Sequence, residues 1–141
     1  MAGTFKFELV TPERMLIPER GDDPKREPAP VDALQVIVPG ADGQFTVLAG
    51  HAPVLTSLRP GVLDIRLTTG QRRVFVRGGF ADVDADRLTI LAEHLIDLDG
   101  ANSDALKAEL AMQEGVLSSA RDDEARAMAQ SAIVELRALG A

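Results

Sequence analysis

The sequence predicts an all-β sandwich, flattened towards a barrel, followed by a C-terminal antiparallel two-helix hairpin. Two observations carry this. Between Phe5 and Leu91, short apolar runs recur about every 8–12 residues with Gly, Pro or Asp turns between them, the signature of a sandwich or barrel. From Ser103 onward proline is absent and Ala, Leu, Glu, Arg and Met dominate, all good helix formers. The change of grammar near Gly100 divides the chain into a β domain, 1–99, and a hairpin, 100–141. A chain of 141 residues buries enough surface to need no disulfide or metal staple.

The first strand is Phe5, Phe7 and Leu9 alternating with Lys6 and Glu8, a half-buried strand of period two. Thr11-Pro12 ends it, and Met15-Leu16-Ile17 is a second short run. The segment Glu19 to Pro30 is charged, carries three prolines and has no large apolar residue, so a solvated loop is expected. Its Arg20-Gly21-Asp22 triplet is read as chance, because no signal-peptide core opens the sequence.

The stretch Val36 to Gly61 organises the chain. Three apolar runs (Val36–Val38, Phe45–Leu48, Val54–Leu58) are separated by two Gly/Pro turns. Pro39 fixes φ, and Gly40 and Gly43 permit positive φ, so a tight, well-defined loop is expected over Pro39-Gly40-Ala41-Asp42-Gly43-Gln44. The second turn, Gly50-His51-Ala52-Pro53, holds one of two histidines. Such loops on a rigid scaffold are where binding is usually placed.

Strands continue through Leu63, Ile65 and Leu67, then Val74 and Val76 alternating outward with Arg73, Phe75 and Arg77. Gly78-Gly79 is expected to break the run before Phe80–Val83 and Leu88–Leu91. In the helical part, Asn102 or Ser103 is the expected first N-cap, and Leu106, Leu110 and Leu117 mark one face. Ser119 and Asp122 have the spacing of a capping box for the second helix. Its expected inward stripe is Ala125, Met128, Ala129, Ala132, Leu136 and Leu139, ending at Gly140. The seam is thin and Ala-rich, so the hairpin must lean on the sandwich or on a partner.

Composition narrows the chemistry. A net charge of −7 disfavours nucleic acid and anionic lipid as partners, and no apolar run approaches a membrane span. The absence of cysteine removes thiolate chemistry and Cys-ligated zinc. Asp82, Asp84, Asp86 and Glu93 match positions 1, 3, 5 and 12 of a calcium loop. Arg87 stands where that loop needs glycine, so a solvated β-turn is the better reading. His94 is expected to be solvated or capping at a strand exit. No phosphate-binding glycine motif occurs, and no cofactor or metal is expected. The residues alone leave a second class open, a ligand-binding sandwich or hydrolase using His51 with Asp42 or Asp64, with no nucleophile in view.

The order of six pieces is more specific than any one: Phe7-Glu-Leu-Val-Thr-Pro-Glu13, Val38-Pro-Gly-Ala-Asp-Gly-Gln-Phe45, Gly50-His-Ala-Pro53, Leu58-Arg-Pro-Gly61, Gly78-Gly-Phe80 and Leu88-Thr-Ile-Leu-Ala92. Together they resemble the epsilon subunit of bacterial F-type ATP synthase, the counterpart of the mitochondrial delta subunit. The resemblance covers about Phe5 to Leu95 apart from the 19–30 insert.

It implies a non-catalytic central-stalk subunit, peripheral on the cytoplasmic face of the inner membrane. Its partners would be the gamma subunit and the c-subunit ring, with the alpha and beta catalytic subunits reached through the hairpin. Proton-driven rotation would pass through it to ATP synthesis, with Pro39–Gln44 and Gly50–Pro53 facing the ring. Three departures matter. The charged Glu19–Pro30 segment is longer than the family's usual connection. The family's ATP-binding motif is not reproduced at Ala101-Asn-Ser-Asp-Ala-Leu106. From Asp104 onward, four basic residues face seven acidic ones (4 − 7 = −3), whereas inhibitory members carry a basic second helix, so inhibition of hydrolysis is expected to be weak at most.

Overall fold

The computed structural model describes residues 3–12, 15–17, 30–99 and 103–140, with side chains left aside for 15–17. The predicted loop over 19–30 therefore lies outside the described residues, apart from Pro30, as does Asn102.

Among the described residues, eight strands precede two helices: β1 (Phe5–Val10), β2 (Met15–Ile17), β3 (Val31–Gly40), β4 (Gly43–Val47), β5 (Val54–Ser57), β6 (Gly61–Leu67), β7 (Gly70–Val83), β8 (Arg87–Asp97), α1 (Ser103–Ser119) and α2 (Asp123–Ala138). The predicted architecture, a sandwich followed by a hairpin, is the one observed. The sheet closes on itself. β1 pairs parallel with β8 on one side and antiparallel with β3 on the other, and β8, β7, β6 and β3 complete the ring. Closure removes the free edges of those five strands.

Two long strands serve both layers by changing partner midway. β3 pairs with β1 over Val31–Ala33 and with β4 over Val36–Gly40, while β6 runs along its other side. β7 pairs with β6 over Gly70–Val76 and with β5 over Phe80–Val83. The core is what this alternation predicts: Phe5, Phe7, Leu9, Val36, Val38, Leu63, Ile65, Val74, Val76, Leu88 and Ile90 are all buried in one cluster.

Gly78-Gly79 does not break the run, contrary to expectation. β7 continues through both with φ of 76° and 123°. Inward positions pass there from even (Val74, Val76) to odd (Ala81, Val83), and on β8 from even (Leu88, Ile90, Ala92) to odd (Leu95). The pair thus turns a corner without losing its ladder. Gly79 faces Ala92, and a Cβ there would overlap the Leu91 carbonyl. Its own carbonyl accepts from Leu58 N–H at 2.9 Å, where β7 leaves β6 for β5.

A second departure is Phe75. Read as an outward residue between arginines, it is fully buried, because the outer face of β7 and β8 is covered by the hairpin. Phe75 and Ile96 meet Leu106 of α1 and Leu136 of α2, with Leu98, Leu110 and Leu139 at the margin.

The hairpin itself forms largely as predicted, with three corrections. The α2 N-cap is Asp122 alone, accepting Ala125 N–H at 2.7 Å. Ser119 ends α1 and its hydroxyl bonds back to the Gly115 carbonyl at 3.0 Å, as serine in a helix does when an i−4 carbonyl is in reach. Met128 is exposed, and Ile133 joins Ala129, Ala132 and Leu136 on the buried face, since the stripe drifts around the helix at 3.6 residues per turn. Gly140, at φ 90°, supplies the left-handed residue beyond the C-cap Leu139.

Replacing Gly79 with alanine is expected to destabilise the barrel by more than ~2 kcal/mol, because both φ and space forbid a Cβ. Urea denaturation of the variant would show a lowered midpoint, and an unchanged midpoint would refute this account of the corner.

Candidate functional site

The segment Pro39 to Gln44 is tighter than a six-residue loop. β3 runs to Gly40 and β4 starts at Gly43, and these two glycines pair directly, leaving Ala41 and Asp42 as a two-residue hairpin turn. Gly43 takes φ 136°. Gly40 is not at positive φ, as the sequence reading allowed; it is needed for space. A Cβ there would lie 2.8 Å from Phe45 Cε1 and 2.9 Å from the Gly43 carbonyl oxygen. Pro39 and Gly40 are buried, so they shape the turn, and Ala41, Asp42 and Gln44 present it to solvent.

Three of the sequence motifs meet beneath this turn. Gly40 bridges to Leu58, Ala41 N–H donates to the Ser57 carbonyl at 2.9 Å, and Arg59 N–H donates to the Pro39 carbonyl at 3.0 Å. A Cβ on Gly61 would sit 2.9 Å from Pro39 Cβ. Leu58 N–H in turn binds the Gly79 carbonyl. Pro39-Gly40, Leu58–Gly61 and Gly78-Gly79 are one packing unit, drawn together because each lacks the bulk that would hold the others apart.

Gly50–Pro53 follows the other end of β4. Gly50, at φ 80°, donates its N–H to the Ala85 carbonyl at 2.7 Å, tying this connection to the β7–β8 turn. The His51 ring tilts against Phe45 with centroids 6.2 Å apart, and its Nδ1 lies 2.7 Å from the Ala52 carbonyl oxygen. Ala52 and Pro53 are exposed. The two predicted segments are thus not a single tip. They flank β4, with Phe45 between Gly40 and His51. Among the described residues β4 pairs with β3 alone, so its outer edge lies free between the two segments, with Gln44 and Thr46 exposed on one face of the strand.

Among the described residues, His51 makes its contacts with the Ala52 carbonyl and the Phe45 ring. Asp64, one carboxylate the sequence offered, accepts from Gln71 Nε2 at 2.8 Å on β6. Asp82, Asp84 and Asp86 end β7 and form its turn, which Asp84 N–H closes on the Arg87 carbonyl at 2.8 Å, in a strand-turn-strand and not a helix-loop-helix.

Two features were not read from the sequence. Leu55, Phe80 and Leu91 are exposed (74%, 52% and 43%) on the outer face of β5, β7 and β8. Phe80 stands opposite Leu91, and Leu55 is diagonal to Phe80. The signal was the phase change at Gly78-Gly79, which turns Phe80 outward. The other is Glu109, buried on α1. The signal was a carboxylate three residues after Leu106, on the helix face that looks inward.

The geometry can be set beside known proteins. A family model described as ATP synthase, Delta/Epsilon chain, beta-sandwich domain, matches residues 23–97. The ATP synthase epsilon chain of Rhodospirillum centenum is 44% identical over 126 residues, covering 87% of this chain and 75% of its own. That of Mesorhizobium japonicum is 36% identical over 140 residues, 99% and 95% of the two chains. The chain belongs to the ATP synthase delta/epsilon family. For fold, a chain of the Tetrahymena thermophila mitochondrial ATP synthase central stalk and c-ring structure aligns with a TM-score of 0.66 at 16% identity, over 97% and 96% of the two chains. One from the Euglena gracilis mitochondrial enzyme aligns with a TM-score of 0.61 at 22% identity, over 99% and 81%. The epsilon-chain likeness therefore runs through both the barrel and the hairpin. No helix among the described residues is long and apolar enough to cross a membrane.

In this family member the β3–β4 turn should tolerate change only where it is exposed. Gly43→Val is expected to cost ~1–3 kcal/mol through its backbone, and Gly40→Val to cost at least as much by overlap. Ala41→Arg should leave stability within about 0.5 kcal/mol. Thermal or urea unfolding of the three variants checks the order.

Proposed function

We propose that this chain is a non-catalytic rotor subunit in the central stalk of a proton-translocating F-type ATP synthase. It would couple c-ring rotation through gamma to synthesis at the alpha and beta subunits, held at the cytoplasmic face of the inner membrane by its partners. The observation that carries the reading is identity to epsilon chains over nearly the whole chain, 36% across 140 residues in one case.

The geometry suits a mechanical part. The free edge of β4, between the Ala41-Asp42 turn and Gly50–Pro53, is a stiff surface whose docking costs little conformational entropy, and we assign it to the c-ring. The apolar row Leu55, Phe80 and Leu91 is assigned to gamma, since three large apolar side chains left in water on one face favour a protein partner. The acidic hairpin, net −3 from Asp104 onward, disfavours contact with acidic segments of the catalytic subunits.

Size-exclusion chromatography with the gamma subunit of the same organism is expected to give a one-to-one complex. Separate elution in mild salt would overturn the assignment. Phe80→Asp should leave the chain folded and abolish co-elution, whereas Asp42→Arg should spare it and weaken assembly on the c-ring. Truncation before Ser103 is expected to leave ATP hydrolysis close to its rate with the intact subunit; strong release of hydrolysis would contradict the charge argument.

A further inference from the structure

His51 stands partly exposed in the connection that follows β4, and its backbone is fixed from both sides. Gly50 N–H donates to the Ala85 carbonyl at 2.7 Å, and His51 N–H donates to the Leu48 carbonyl at 3.2 Å. Pro53 restricts Ala52 to extended backbone, which gives the Ala52 carbonyl a set direction. The imidazole meets that carbonyl through Nδ1 at 2.7 Å and lies against Phe45, with the two planes tilted by 38°. Phe45 in turn fills the space that a Cβ on Gly40 would need. Glycine, phenylalanine and imidazole are packed in series, so the imidazole has little freedom left to turn.

A carbonyl oxygen only accepts. At 2.7 Å from it, Nδ1 must carry a hydrogen, in the neutral imidazole as well as in the charged one. The neutral imidazole is left with its lone pair on Nε2, which has no hydrogen bond among the described residues. The other histidine is arranged the opposite way. His94 Nε2 lies 3.5 Å from Glu109 Oε2, a carboxylate that also accepts from Arg77 Nε at 2.6 Å. His94 thus meets an acceptor through Nε2, and His51 meets one through Nδ1.

We propose that His51 is locked as the Nδ1–H tautomer and presents Nε2 as a fixed hydrogen-bond acceptor beside the free edge of β4, where it selects an N–H or O–H donor on the c-ring. This role rests on the assignment of that edge to the c-ring. Docking that covers Nε2 without offering a donor leaves a desolvated lone pair, and a carbonyl placed there faces it acceptor to acceptor. A donor is held at little cost in side-chain freedom, because Phe45 and the Ala52 carbonyl have already fixed the imidazole. The small residues Ala41, Ala52 and Pro53 offer contact without direction, and Nε2 supplies the direction.

Proton–nitrogen correlation spectra of the imidazoles, recorded on the nitrogen-15-labelled full chain at mildly alkaline pH, test the tautomer without any partner. His51 is expected to show a pyrrole-like Nδ1 and a pyridine-like Nε2, its signals being assigned by their loss in His51→Gln. The reverse pattern, or an average of the two tautomers, would overturn the proposal. Binding of the gamma complex of the chain to vesicles carrying the c-ring tests the acceptor. His51→Phe keeps an aromatic ring beside Phe45 and removes the acceptor, and is expected to bind about tenfold more weakly. His51→Gln, whose Oε1 can accept, is expected to bind more tightly than His51→Phe, and both should still co-elute with gamma. His51→Gln binding no better than His51→Phe would contradict the acceptor role. Undiminished binding by His51→Phe, with Asp42→Arg still weakening it, would remove the acceptor and leave the c-ring assignment standing. If neither substitution weakened binding, the c-ring assignment would fall and the acceptor with it.

Discussion

The absence of a side chain at Gly79 is the constraint from which most of the architecture follows. β7 passes so close to the Leu91 carbonyl that no Cβ fits, and it does so at a backbone angle that L side chains rarely adopt. That approach lets β7 leave β6 for β5 while keeping β8 beside it from Val74 to Val83, and the sheet closes into a ring. It also changes the phase of the strand. Phe75, ahead of the corner, faces out and receives the hairpin; Phe80, beyond it, faces out on the other layer and meets solvent. One backbone position thus sets both the hairpin's seat and the apolar row assigned to a partner.

The motifs that mark the family take on a physical meaning in the same region. Pro39, Gly40, Leu58, Gly61 and Gly79 touch one another through backbone hydrogen bonds and contacts too close for larger residues. They maintain the stiffness of the β3–β4 turn and contribute little surface to it. The residues that could meet a partner are the less distinctive ones around them: Ala41, Asp42, Gln44, Ala52 and Pro53. A bearing surface of this kind depends on a buried frame that fixes where an exposed edge stands, which is why the frame carries the recognisable sequence.

The hairpin is held differently. The barrel is built from interlocking apolar side chains, whereas the hairpin rests on one small apolar cluster and one buried ion group. Apolar packing is hard to undo piecemeal, because every contact excludes water together. The two halves of the chain differ in mechanical character for that reason.

By itself the sequence determined the class of every long element, because strand and helix periodicities are local and β-branched runs, turns and Ala/Leu/Glu-rich segments seldom imitate one another. Phe5–Leu9, Leu63–Leu67 and both helices were legible on those grounds, and the motif order pointed to the family. The tertiary structure decided what depends on neighbours distant in sequence: the closing of β1 on β3 and β8, the continuity of β7 through two glycines, and the burial of Phe75, Pro39, Gly40 and Glu109. Alternation says which residues share a face but not what will cover it. An outward phenylalanine, a glycine needed for space and a carboxylate aimed at two bases look alike in one dimension, and their roles exist only once the barrel and the hairpin share a surface.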